Sequence, residues 1–539
     1  MTAIRALLKD RRRSQRGSVL SGVLIMTAFI AIISGALMTE LSTNFLLSNT
    51  MLNRVSYEAT DNSAIELALS QLQSTQLNAP CPALPAAAVN GFTASATYIS
   101  CWPTVREAQR FAQVAGSSAQ FGIDGVHAQV NGLNDYVVGD GGGTVYDLPF
   151  GSSAPRWTLP LGGSVTATPL VLPKPGSSSQ VLVVVPLAGP ACPGGADCLM
   201  VRTDDGSSNT PPLQCAVPTI GGPVESGPAA SPTQGGLVYY GDGTLLEATD
   251  MSAGGSCDPE ATVQLPGGQA VEAGPVAFRC LSSCGKTLDE VYAVVSDGSS
   301  AQLVQYHYSS GSLTSAASLA LPWASVSGIA VSAATLPAEM AISFAGGGFA
   351  VAQISSRGTM TLTGSGAVPA GVVDAPYWCH CPGGDLIGLA AQNGGLYLYS
   401  TSLQLYATYL GGSSITTTPG ADAAGNWYFG ATDGFVHELQ PQQGQSSLVQ
   451  VDTYGQVGSV TSAVLVGTCA SGICVYLGTA NNHAYLVPLD ARKAVISACI
   501  TNSPPTCSGA NPRLWASVEV GASGSPQTVH VQGWSYYAG

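Results

Sequence analysis

Charge is scarce in this 539-residue chain: Asp, Glu, Lys and Arg make up 9% of it, against 45% apolar residues. That excludes a disordered polyelectrolyte and leaves a chain that buries a sizeable core, in more than one small domain. Basic residues are scarcer still, 18 against 32 acidic ones, and no basic run occurs after Arg16. Residues 1–17 hold six cations against Asp10, a balance of +5, so the remainder carries −19 of the overall −14. Broad electrostatic binding to DNA or RNA is therefore disfavoured. The six histidines (His127, His307, His380, His437, His483, His530) include no i,i+4 pair for zinc. No G-x-S-x-G elbow occurs, and "GDGGGT" at 139–144 lies between two strand-like runs and opens no helix, so it does not read as a phosphate cradle.

Helix breakers are also missing from one region. No proline occurs between Gly17 and Pro80, and no glycine between Gly35 and Gly91. Within this span residues 18–39 carry no charge, long enough at 1.5 Å per residue to cover the roughly 30 Å core of a bilayer. Secretory signal peptides have apolar cores of only ~7–15 residues, so this run reads as retained. The arginines ahead of it predict a cytoplasmic N-terminus with the rest exported. Phe45, Leu52, Val55 and Ala59, then Ile65, Leu69 and Leu72, recur at helical intervals. The expectation is one helix over 18–75, ~85 Å long.

"QRGSVLSGVLIMTAFIAIISGALM", continued by "NRVSYEATDNSAIELALSQLQ", resembles the start of type IV pilin-like proteins, closest to PilX-type minor pilins and the large tip pseudopilins of type II secretion. The resemblance implies a leader over 1–17, cut by prepilin peptidase between Gly17 and Ser18, and a helix over 18–75 that packs in the membrane and then in a filament core. It also implies other pilin subunits as partners. The fifth mature position, usually Glu in major pilins, is Gly22 here, which fits a rare or tip subunit. Residues 76–125 read as a small connecting region, with a strand at 92–99 and a short helix at 104–113.

All 14 cysteines lie beyond the apolar run. Their even number suits disulfides in an oxidising compartment. The nearest neighbours are Cys81 with Cys101, Cys192 with Cys198, Cys215 with Cys257, Cys280 with Cys284, Cys469 with Cys474, and Cys499 with Cys507. "CHC" at 379–381 is the best place for a metal, but no second Cys/His pair at finger spacing accompanies it. A bridge across one residue would be strained, which leaves other partners open for Cys379 and Cys381.

Residues 126–539 carry two interleaved markers. Hairpin dipeptides recur at Asp140-Gly141, Asp205-Gly206, Asp242-Gly243, Asp297-Gly298, Gly346-Gly347, Asn393-Gly394, Asp433-Gly434 and Asn481-Asn482. Junction-like segments begin at Gly162, Gly221, Gly267, Trp323, Ala370, Gly411, Val457 and Gly521. Such alternation describes sheets of about four strands repeated radially, a mainly β chain with a β-propeller of eight blades, or seven. The pattern resembles the PQQ-type repeat shared by quinoprotein dehydrogenases and BamB-like outer-membrane assembly scaffolds. The tail "SPQTVHVQGWSYYAG" is expected to pair near 127–138 and close the ring. "TDDGSSN" at 203–209 is the best cluster for calcium but lacks the EF-hand spacing. Quinoprotein active sites use an adjacent cysteine pair, which is absent here.

The reading is a minor pilin-like or tip subunit that displays a propeller for adhesion or ligand binding. It is not expected to be an enzyme or to carry a cofactor. Its expected location is the cytoplasmic membrane before assembly, then an extracellular filament or the cell surface. The alternatives are a membrane-anchored propeller scaffold for exported partners and a quinoprotein-type enzyme.

Overall fold

The computed structural model describes residues 26–27, 49–75, 81–89, 91–104, 112–115, 126–130, 133–149, 154–252, 257, 259–280, 289–441, 446–454, 457–469, 472–480, 483–489, 491–500, 514–521 and 528–536. The leader, the Gly17–Ser18 cleavage position and, apart from Met26 and Thr27, the charge-free run 18–39 lie outside them.

Helix α1 (Asn49–Ser74) is free of Gly and Pro and is about 39 Å long. Ala64, Ile65, Ala68 and Leu72 bury one stripe of it against a five-stranded antiparallel sheet. In order across that sheet run Ala86–Val89, Phe92–Thr104, Ala491–Ile500, Leu514–Gly521 and Thr528–Tyr536. Every second residue faces the helix: Ala94 and Ala96, then Ala494, Ile496 and Ala498, then Ala516, Val518 and Val520. The small alanines let helix and sheet approach closely, and burial of Ile65 and Leu72 contributes ~2 kcal/mol each. This unit is the head.

Its second and third strands are paired from Ala94↔Ile500 to Thr104↔Ala491. All the chain between Thr104 and Ala491 is thus an insertion between adjacent antiparallel strands. It forms eight sheets: residues 126–160, 164–218, 229–264, 270–320, 326–367, 377–410, 420–454, and 465–489 completed by Ala112–Ala115. They are blades 1 to 8. The first strand of each touches the first strand of the next, and that of blade 8 touches that of blade 1. The arrangement is a closed circle, an eight-bladed β-propeller.

The middle strands of the blades are rich in apolar residues and buried on both sides because a neighbouring blade covers each face. Val181–Ala188 ("VLVVVPLA") and Asp289–Ser296 ("DEVYAVVS") are buried almost throughout. Eight apolar layers separate the blades. The last joins blade 8 to blade 1 through Tyr136, Tyr146, Cys474, Tyr476 and Ala484, with the Tyr136 and Tyr476 rings 5.1 Å apart.

Several expectations are corrected. The tail strand Thr528–Tyr536 does not close the ring; it is the edge of the head sheet, and Ala112–Ala115 closes blade 8 instead. The segment at Gly521 accordingly lies within the head and is no blade junction. Asp205-Gly206 follows the third strand of its blade, whereas the other seven dipeptides lie between second and third strands. The helix expected at 104–113 is replaced at both ends by strand. No single rod over 18–75 is seen among the described residues, where the long helix begins at Asn49. The expected location in the cytoplasmic membrane is also corrected. No helix among the described residues is long and apolar enough to cross a membrane; α1 carries Arg54, Glu58, Asp61 and Glu66 within its 26 residues.

Candidate binding face

Strand direction alternates within each blade, so the seven hairpin turns and the blade-to-blade junctions emerge on one face of the ring. They are stitched together there. The junction bonds back to the turn of its own blade, as in Leu161 N–H to Gly143 O (2.7 Å), Val368 N–H to Gly347 O (2.9 Å) and Val457 N–H to Gly434 O (2.7 Å). The next blade's turn bonds back to the same junction, as in Gln392 N–H to Gly371 O (2.9 Å) and Thr432 N–H to Ser414 O (3.0 Å). Gly143, two residues beyond the Asp140-Gly141 marker, closes its turn where no side chain fits. Its φ is +82°, and a Cβ there would lie 1.4 Å from Gly163 O.

Acidic residues cap this framework. Asp140 accepts from Thr144 N–H (2.8 Å) and the Tyr146 hydroxyl (3.0 Å). Asp242 accepts from Ile220 N–H (2.7 Å) and Gly221 N–H (2.5 Å) across the blade 2–3 junction. On exposed Asp297 the Ser299 hydroxyl, then the Ser299 and Ser300 amides, hold the carboxyl down to about 2.

Blade 2 departs from its neighbours. Its second-to-third-strand turn is an insertion stapled by Cys192–Cys198, with Gly189 N–H donating to Asp197 Oδ1 (3.1 Å). Thr219 N–H donates to Asp197 O (2.8 Å), which ties the next junction to this insertion. The adjoining Ile220 has its backbone fixed by Asp242, yet is 85% exposed. Trp323, in the junction between blades 4 and 5, and Leu410, at the end of the last strand of blade 6, are 37% and 68% exposed at the same face. Exposed apolar side chains on a rigid backbone are what a binding surface offers.

The opposite face carries the head. The last strand of blade 8 before the head ends at Leu489 and the head resumes at Ala491. Gln440 of blade 7 donates through Nε2 to Cys101 O (2.7 Å), and Lys493 Nζ lies 3.3 Å from Asp452 Oδ2. Arg492 is buried beside them, and the adjacent pair Arg492-Lys493, in a chain with so few cations, was the legible signal for this contact.

Among the described residues eleven Asp and Glu side chains are buried. Between blades 1 and 2, Arg156 bridges Asp135 and, through Nε (2.9 Å), Asp147, while Asp204 accepts from Trp157 Nε1 (3.1 Å). One guanidinium faces two buried carboxylates with a third nearby. Burial raises Asp135 to about 6 despite Arg156; burial, then the neighbouring Asp135, raises Asp147 to about 8. Nothing in the sequence pattern marked this cluster. Between blades 3 and 4, Asp289 accepts from Ser231, Thr233 (2.5 Å) and Tyr239 (2.6 Å). These groups fasten blades together.

The remaining sequence candidates are placed as follows. Disulfides join Cys81 to Cys101, Cys192 to Cys198, Cys215 to Cys257, and Cys379 to Cys381. Cys280, Cys474 and Cys499 are also bonded, and the side chains of Cys284, Cys469 and Cys507 lie outside the described residues. In "TDDGSSN" the carboxylates serve their own turn, Asp204 accepting from Gly206 N–H (2.8 Å) and Asp205 from Ser207 N–H (2.9 Å). Among the described residues no group of three or more His, Cys, Asp or Glu side chains could hold a metal.

No family model matches the chain, and no curated protein matches it. Solved structures do. The crystal structure of Sqt1 from Saccharomyces cerevisiae is 13% identical, aligns over 69% of this chain and 97% of its own, and superimposes with a TM-score of 0.53. The structure of the Dos1 propeller is 10% identical over 72% of this chain and 94% of its own, with a TM-score of 0.47. At such identity the Sqt1 likeness concerns the fold alone: the chain is built as a β-propeller, an architecture suited to binding a ligand or partner.

Proposed function

We propose that this protein is a minor pilin-like or tip subunit of a type IV pilus-related filament, and that its propeller binds a partner through the turn-and-junction face. One observation carries the reading: α1, which forms the second half of the segment that resembles a pilin N-terminus, lies across an antiparallel sheet, while the ring is a single insertion in that sheet. A pilin-like head that keeps its helix and sheet intact would enter a filament and leave the far face of the ring free. Ile220 and the stapled insertion of blade 2 would be its anchor there, supported by Trp323 and Leu410. Pilin subunits and prepilin peptidase are the partners this reading requires.

N-terminal sequencing of the protein made with and without prepilin peptidase tests it. The reading expects a chain beginning at Ser18 only when the peptidase is present. A chain still beginning at Met1 in its presence would overturn it.

A further inference from the structure

The Cys379–Cys381 bridge differs in setting from the other disulfides joined among the described residues. The others span 6, 20 and 42 residues of sequence, and this one spans 2. What a bridge does for the fold by restraining the unfolded chain grows with the loop it closes, so this one stabilises least.

The local fold is secured without it. Tyr377–Cys381 is the first strand of blade 6, paired in unbroken register with the next strand from Tyr377↔Gly388 to Cys381↔Gly384. Asp385 locks that hairpin on the other side of the strand, accepting from Trp378 Nε1 at 3.2 Å and lying 2.9 Å from His380 Nδ1. The two sulfurs share the side facing blade 7, where Tyr377 and Cys379 join the core around Trp427. Cys379 is buried, whereas Cys381 is partly exposed at the strand end, beside the exposed Pro382, Gly383 and Gly384. Across from it is Gly425 of blade 7. A side chain starting there would lie 3.7 Å from the Cys381 sulfur, so the glycine leaves that sulfur uncrowded.

We infer that Cys379–Cys381 is an exchangeable disulfide, a two-electron acceptor for a dithiol on a partner polypeptide, seated at the inner end of blade 6 on the head-bearing face. Cys381, the more exposed residue of the pair, sets the order of steps. A partner thiolate attacks Cys381 Sγ, the Cys379–Cys381 bond breaks, and Cys379 leaves as a thiolate that takes up a proton. The partner's second thiolate then attacks its own sulfur in the mixed disulfide and releases Cys381, which is protonated in turn. The partner is oxidised to a disulfide, this chain is reduced to a dithiol, and two electrons and two protons have moved. Because no peptide hydrogen bond is broken, the blade keeps its pairing in both states. This goes beyond the binding proposed for the opposite face and stands or falls separately.

The test uses the full-length oxidised protein and a synthetic peptide carrying two reduced cysteines. Thiols are trapped by alkylation at intervals and located by mass spectrometry. The expected result is that Cys379 and Cys381 become alkylated at least ~10-fold faster than Cys81, Cys101, Cys192, Cys198, Cys215 and Cys257. One peptide disulfide should form per protein, with circular dichroism unchanged. The Cys379→Ser, Cys381→Ser double variant should keep its melting temperature and lose the peptide oxidation. Alkylation of this pair only together with the others, as the fold is lost, would overturn the inference. So would undiminished peptide oxidation by the double variant.

Discussion

At the scale of single residues, the ring depends on positions where no side chain fits and on carboxylates held out of water. Gly143 combines a positive φ with backbone contact against Gly163. Gly143→Ala is expected to lower the unfolding free energy by ~2–4 kcal/mol, read from urea denaturation, through strain at that turn and displacement of the junction. The carboxylates make a second prediction. Asp147 is raised to about 8 and Asp135 to about 6, first by burial. Folding therefore favours their protonated forms. The stability they contribute is fully present below the unfolded carboxylate range near 4 and is lost as pH rises through the folded values. Melting temperature should fall between about pH 4 and 8, and Asp147→Asn should flatten that slope; a slope unchanged in the variant would contradict the assignment. Gly243, Gly298, Gly347, Gly394 and Gly434, all at positive φ, were legible because a turn writes itself into adjacent residues; in the first blade the marked glycine was Gly141 and the one at positive φ is Gly143. The Arg156 cluster was not, because Asp135, Asp147 and Asp204 meet only after two blades have packed.

At the scale of elements, the closing strand carries the most consequence for its size. Ala112–Ala115 completes blade 8 by pairing with His483–Leu489, so the chain before blade 1 is bound to the last blade. A proline at position 114 has no N–H for that ladder. Val114→Pro should cost ~3 kcal/mol or more and expose the blade 8 edge, seen as new cleavage near residues 105–125 in limited proteolysis. Disulfides act at this scale too. The Cys215–Cys257 bridge links blade 2 to blade 3 over 42 residues and is worth about 4 kcal/mol in the chain-entropy account, against ~3 for Cys81–Cys101 over 20. Element identity was readable from the sequence wherever turn and apolar run alternated. It failed at the two ends of the ring: Ala112–Ala115 is too short to show a pattern, and Thr528–Tyr536 alternates as a blade strand would. Nothing local tells a strand which sheet it will join.

At the scale of the whole molecule, the chain is a head that opens between two neighbouring strands to admit a ring. Sequence order concealed this, because the parts of the head are separated by the entire propeller, from Thr104 to Ala491. The apolar face built by Ala94, Ala96, Ala494, Ile496, Ala498 and Val518 becomes intelligible only once both segments are side by side against α1. If the two units are structurally independent, replacing residues 105–490 by an Asn-Gly hairpin should leave a head that folds alone, with helix and strand both evident by circular dichroism. An unfolded product would mean that contacts such as Gln440 to Cys101 and Lys493 to Asp452 are indispensable to it. The central claim is tested most directly by a cryo-electron microscopy map of the intact chain. The account predicts eight blades around a closed ring, with one head on a single face over blades 7 and 8 and strand Thr528–Tyr536 at the head's edge. A ring of seven blades, or that strand found within a blade, would contradict it.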